Sequence, residues 1–188
     1  MDDGASDRDL LERARAGEER AFRILVERYE LAVASVVTAM LGRGEEAEDV
    51  GQETFIRFYR SIDRFRGDAA LGTYLTRIAI NLSLNALKRR NRLAARFLSR
   101  DEARAYASEP ATEGDEEIER REREHLVRRA IGRLDARHRA VVVLRMIEGY
   151  STRETAAILD VREGTVLSRL SRAMRKLEAD LEPYVRPE

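Results

Sequence analysis

The densest chemical pattern in this 188-residue chain lies between positions 149 and 170. Ser151 and Glu154, three residues apart, can form a capping box in which each side chain satisfies the other's backbone N–H, so a helix is expected to start there. Ala156 and Ala157 are small where two helices would pack across a tight turn. Asp160 falls at that turn, where a short polar side chain tolerates left-handed backbone. Val166 and Leu170, four apart, turn one side of the next helix inward and leave Ser168, Arg169 and Arg172 outside. This order predicts a helix-turn-helix whose second helix enters the major groove of a duplex, with Arg172, Arg175 and Lys176 reaching phosphates. A plain helical hairpin with a charged outer face shares the periodicity, but it does not require that cap, Ala pair and basic helix in succession.

A second constellation sits upstream. Arg77, Asn81, Asn85 and Lys88, at spacings of four, four and three, share one face of a predicted helix. Such a face pairs with phosphates and base edges, and the loop before it, residues 65–69, carries Phe65. The combination suits single-stranded or melted DNA, whose exposed bases take stacking partners and edge contacts. Spacing alone is served as well by a solvated polar face. Glu45, Asp49 and Glu53 form a carboxylate row at i, i+4 and i+8, flanked by Glu46 and Glu48. No histidine occurs in the first 124 residues and no second acidic helix offers ligands at matching spacing. A docking face for a basic partner is therefore the expectation, and a metal site is not. His125 and His138 have no nucleophile in a recognisable pairing, and no Gly-rich phosphate loop is present. No catalysis and no cofactor are expected.

Helices must hold these residues. Prolines fall only at 110, 183 and 187, and Ala, Leu, Arg and Glu dominate. Helices are predicted over 7–16, capped by Ser6 and stopped by Gly17, and over 18–41, with Ala21, Phe22, Leu25, Val26, Tyr29, Ala32, Val33 and Val36 as core stripe. A third, 45–59, buries Val50, Phe55 and Phe58. A fourth follows the 65–69 loop, buries Leu71, Tyr74, Leu75, Ile78, Leu82 and Ala86, and reaches the arginines at 89–96. Residues 101–117 are polar, acidic and interrupted by breakers, which marks a linker. Helices resume over 117–133, 135–148, 151–159 and 162–181. The expected fold is all-α: two small helical domains, 1–98 and 118–182, joined by a flexible acidic linker, 99–117, with a tail at 183–188.

The 35 bases and 35 acids cancel only as a sum. By segment the net charge is −5 over 1–70, +7 over 71–100, −6 over 101–124 and +4 over 125–188. The 71–100 stretch holds no carboxylate; it is either a phosphate-binding surface or a solvated Arg-rich face. Absence of cysteine excludes a disulfide-stapled scaffold and thiolate chemistry. No apolar run approaches the roughly 20 residues of a membrane span, and the acidic start is unlike a signal peptide. A soluble cytoplasmic protein with no membrane insertion is expected.

In their order and separations these patterns resemble a known family, the extracytoplasmic-function (group IV) RNA polymerase sigma factors of the sigma-70 family, over nearly the full chain. Residues 47–57, AEDVGQETFIR, are similar to the family segment AEDLVQEVFLR, and residues 65–68 with 73–81 are similar to FRG…TWLYRIAxN. Residues 149–170 are similar to the family's helix-turn-helix. The resemblance implies a promoter-specificity subunit rather than an enzyme. Its first domain (sigma domain 2) would dock on the clamp helices of the polymerase largest subunit through Glu48, Asp49, Gln52 and Glu53. The same domain would melt and read the −10 element through Phe65, Arg66, Gly67, Asp68, Ala69, Arg77, Asn81 and Lys88. Its second domain (sigma domain 4) would contact the beta-subunit flap and read the −35 element through Arg145, Thr165, Ser168, Arg169 and Arg172. An anti-sigma factor, which holds many relatives inactive, belongs to the same set of partners.

Departures bear on specificity. Tyr74 replaces the usual Trp, Arg162 and Glu163 replace a common Pro-Val, and Leu167 and Ser171 stand where larger or basic residues are frequent. The departures from Arg162 onward fall on the reading helix, so no −35 sequence is predicted from relatives. Two other readings fit the residues without the resemblance. One is a helix-turn-helix regulator acting without polymerase; the other is a helical adaptor whose arginines meet acidic proteins.

Overall fold

Side-chain caps set the starts of some of the helices. Ser6 accepts from the Asp9 N–H at 3.2 Å while its own N–H donates to the Asp9 carboxylate, opening α1, Asp7–Arg15. Helix α2 covers Glu19–Leu41, α3 Glu45–Ser61, and, after a single 3-10 turn at Ile62–Arg64, α4 runs Leu71–Phe97. The second half holds α5, Asp115–Arg133; α6, Ala136–Val142; α7, Thr152–Leu159; and α8, Glu163–Val185. The computed structural model describes residues 4–67, 69–97 and 115–185, and no strand occurs among them. Most of the predicted linker, and Asp68, lie outside the described residues. Helix α8 takes in Pro183, so the predicted tail is helical as far as residue 185. Pro183 lacks the N–H that would bond back to residue 179, and the helix ends two residues later.

Asp135 caps α6, accepting from the N–H groups of Arg137 and His138 at 3.1 and 3.2 Å. Burial pushes its carboxyl up, but bonds from the His138 ring and backbone and from Arg137 outweigh it and hold the group below the usual carboxylate range. A depressed folded value means stability present above the unfolded value of about 3.9 and lost as pH falls through the folded one. Asp135→Ala is expected to cost about 1 kcal/mol near neutral pH. In thermal unfolding the gap between variant and parent should close below about pH 4.

Four helices build the first domain. Phe58 of α3 is completely buried, a burial that contributes roughly 3 kcal/mol. Its ring stacks on Phe22 of α2 at 5.8 Å and meets Tyr74 of α4 at 6.2 Å. Where α2 passes α4, Gly72 leaves room for Tyr29: a Cβ there would sit 3.1 Å from its ring. The Tyr29 hydroxyl donates to Asp7, and desolvation together with that carboxylate pushes it up to about 12, so it remains a donor throughout the physiological range.

In the second domain α6 is central, because successive residues serve different apolar clusters. Val141 packs with Ala156 and Val166 of the helix-turn-helix. Val142 packs with Ala130, Ile131, Ala173 and Leu177. Val143 and Leu144 join the cluster that includes Phe58, Leu75 and Ile80 of the first domain. The predicted 135–148 helix changes character here: Val143–Ile147 is a π-helical turn closed by the Glu148 N–H on the Val143 carbonyl at 2.9 Å.

The two domains thus share one apolar core. Polar bonds line the seam. Thr76 and Tyr150 hydroxyls pair at 2.9 Å, the Ser35 hydroxyl donates to Glu148 at 2.7 Å, and Arg139 donates to the Met40 carbonyl at 2.6 Å. Thr76 shares its face of α4 with Ile80, Ser83 and Leu87, all buried, so this helix carries a second buried stripe beside the predicted one.

Candidate nucleic-acid interface

On α4 the backbone periodicity puts Arg77, Asn81, Asn85 and Lys88 on one open face, and all four are exposed. The rest of the basic block divides. Arg89 and Arg90 pair with Glu46 of α3 at 2.9 and 2.5 Å, and Arg90 also donates to the Leu41 carbonyl at 3.3 Å. Those two arginines fasten α4 to the end of α2 and the start of α3. Arg77 and Lys88 remain turned to solvent.

The loop before α4 differs from the expectation in one respect. Phe65 is not offered to solvent: it is 8% exposed, and its ring lies 4.9 Å from that of Tyr74, whose hydroxyl pairs with Ser61 at 3.1 Å. Its ring anchors the loop instead of presenting a stacking surface. Arg66, Gly67 and Ala69 are exposed, and Gly67 has φ +77°, a left-handed turn that a side chain would strain.

In the second domain the predicted capping box forms. The Ser151 N–H donates to Glu154 at 2.8 Å and the Glu154 N–H donates to Ser151 at 3.2 Å. Bonds from the Ser151 side chain and from its backbone N–H hold the Glu154 carboxyl below its ordinary range. Asp160 closes α7 in the left-handed region, φ 52° and ψ 53°. Val166 of α8 is fully buried against Val141 and Ala156, which leaves Ser168 and Arg172 exposed and Thr165 and Arg169 half-buried on the outer side. Arg145 is placed differently: its guanidinium is half-buried and donates to the Tyr150 carbonyl, bracing the turn into α7.

Glu48, Asp49 and Gln52 are exposed on α3, while Glu53 is half-buried and pairs with Arg57 at 2.8 Å. Ile56 and Tyr59, 44% and 54% exposed, continue this face and were not among the expected site residues. Their signal was in the chain: Ile56 lies four residues after Gln52, off the buried Val50–Phe58 side. Among the described residues no cluster of three carboxylate or imidazole side chains is arranged to hold a metal, and no helix is long and apolar enough to cross a membrane.

Family models for sigma-70 region 2 and sigma-70 region 4 match residues 25–93 and 124–177 respectively. The ECF RNA polymerase sigma-E factor of Escherichia coli K12 is 36% identical over 191 residues, covering 99% of this chain and all of that one. The chain belongs to the extracytoplasmic-function sigma factors. The RNA polymerase sigma-H factor of Pseudomonas aeruginosa is 35% identical, with 96% of each chain covered. The solved structure of CnrH with the cytosolic domain of CnrY is 30% identical and superposes with a TM-score of 0.65 over 94% of this chain and 97% of that one. RpoE of Bartonella quintana, solved with the anti-sigma factor NepR, shares the fold at TM-score 0.69 and 24% identity, over 86% and 96% of the two chains. In this sigma factor most of α2, all of α3 and most of α4 are thus region 2, and the helices around the helix-turn-helix are region 4. The protein is an alternative sigma factor, a member of a family of transcription initiation factors.

Proposed function

We propose that this sigma factor docks on core RNA polymerase through the outer face of α3 and reads a promoter with two separate surfaces. The observation that supports this most is a pair of polar faces, one on each DNA-facing helix, that packing leaves exposed apart from a half-buried Arg169. These are Arg77, Asn81, Asn85 and Lys88 on α4, and Ser168, Arg169 and Arg172 on α8. Region 4 lays α8 in the major groove of the −35 duplex, Arg172 meeting phosphate and Ser168 and Arg169 meeting base edges. Region 2 holds the melted −10 strand on the α4 face, with an extruded base received by the exposed backbone at Arg66, Gly67 and Ala69. Glu48, Asp49, Gln52 and Glu53, with Ile56 and Tyr59 beside them, form the polymerase contact. Acting on promoter DNA, the protein is proposed to work in the cytoplasm. Two structural neighbours are solved with a partner, one of them named as an anti-sigma factor, and an anti-sigma factor is proposed as the regulator here.

Run-off transcription with purified core polymerase and a promoter library tests the reading. A specific start site that depends on this chain is expected. If a competent core enzyme gives none, the reading fails; tight duplex binding without polymerase would favour an ordinary helix-turn-helix regulator instead.

A further inference from the structure

Arg15 sits at the end of α1, far in sequence from every residue assigned to DNA, yet it reaches the −10 loop. Its Nε donates to the Ile62 carbonyl at 3.0 Å and its Nη2 donates to the Phe65 carbonyl. A planar guanidinium that bridges two carbonyls fixes their separation and direction as a single ammonium cannot. Both acceptors lie at the root of the loop: Ile62 opens the 3-10 turn, and the Phe65 N–H bonds back to the Ile62 carbonyl at 3.3 Å. From the other side Phe65 is held by the Tyr74 ring. The backbone leaving Phe65 therefore has its direction set by α1 and α4 together, before the chain turns at Gly67.

We infer that Arg15 is a positioning residue for capture of the extruded −10 base, acting through the carbonyls of Ile62 and Phe65. The inference rests on the proposed promoter reading. The loop's described residues beyond the root, Arg66, Gly67 and Ala69, are all exposed, and Gly67 turns with φ +77°. The geometry of any base pocket they form must be inherited from its root. Displacing a donor or acceptor by about 1 Å is enough to lose most of a directional hydrogen bond. Arg15 should therefore govern how well bases are told apart more than how tightly promoter DNA is held.

The test compares the parent, Arg15→Ala and Arg15→Lys as holoenzymes with core polymerase. Templates are pre-melted promoters carrying each of the four bases at the captured position. The parent is expected to discriminate by about tenfold or more between best and worst base. Arg15→Ala should compress that ratio to about threefold or less while −35 duplex binding is unchanged. Arg15→Lys, able to satisfy one carbonyl at a time, should fall between. Full rescue by Lys would mean that only positive charge matters and would overturn the inference. So would retained discrimination accompanied by a lower melting temperature, which marks a brace without a role in readout. A drop of about one in the salt slope with discrimination kept would make Arg15 a phosphate contact and overturn it equally. If the parent holoenzyme itself shows no start site, the promoter reading has failed, a result distinct from any of these.

Discussion

Arg139→Ala is expected to destabilise the protein by on the order of 3 kcal/mol and to loosen the seam between its domains. Arg139 is 6% exposed, and its guanidinium donates to three carbonyls: Met40 at 2.6 Å, Leu134 at 3.1 Å and Gly132. Met40 lies in the last turn of α2 and Gly132 in that of α5, so a cation sits where two helix dipoles present their negative ends. Removing it leaves buried acceptors without donors, each costing more than an exposed bond is worth. The bonds to Gly132 and Leu134 are internal to the second domain, and the bond to Met40 crosses the seam. Loss should therefore appear twice, as a lower unfolding midpoint and as a larger radius of gyration in solution scattering. A compact chain of this length has a radius of gyration near 16 Å. A lower midpoint with an unchanged radius would show that the seam is held by its apolar core and the Tyr150 and Ser35 bonds alone.

The seam matters because of scale. Elements named −35 and −10 stand about 25 base pairs apart, or roughly 85 Å of B-form duplex at 3.4 Å per step. A compact chain of this size is only about 40 Å across. Under the proposed function the packed arrangement has to open before both faces meet one promoter. Weakening the Arg139 bond then acts on the form that has to be dismantled. Thr76, Ile80 and Tyr150 act on the same equilibrium.

The features legible in the chain were those resting on local chemistry. Ser151 with Glu154 can satisfy each other's backbone wherever they occur three apart, and Asp160 tolerates a left-handed turn whatever surrounds it. Both therefore appear in the structure as the residues alone suggest. The open face of α4 was legible for a related reason, since a helix with one apolar stripe must turn its polar side away. Features that depend on a distant partner were hidden. Thr76, Ile80, Ser83 and Leu87 form a second stripe, but a periodicity does not say what will cover it. Phe65 is as apolar whether it anchors a loop against Tyr74 or waits for a base. Arginine is the hardest to read. Arg15, Arg139 and Arg145 meet carbonyls, Arg89 and Arg90 meet Glu46, and Arg77 and Arg172 stay open, yet spacing alone does not separate these uses.

Asn81→Ala is expected to abolish most open-complex formation while leaving −35 duplex binding intact. Asn81 is exposed at the middle of the α4 face, where its amide offers both donors and an acceptor to a base edge. Alanine is the better helix former, and an exposed substitution of this kind changes stability by no more than about 0.5 kcal/mol, so a folding defect is not expected. What is lost is one directed base contact, about 1–3 kcal/mol, or roughly five- to 150-fold in formation of the open complex. Arg169→Ala is the converse: a similar loss in −35 duplex binding, with transcription from pre-melted templates lacking a −35 element kept. Asn81 and Arg169 lie on different helices and share no partner among the described residues, so in the double variant the two losses should add. Permanganate reactivity of the melted strand reads the first effect and fluorescence anisotropy of a labelled −35 duplex on holoenzyme reads the second. Should Asn81→Ala depress both equally, the α4 face would belong to assembly of the complex as a whole, and strand capture would have to be sought elsewhere in region 2.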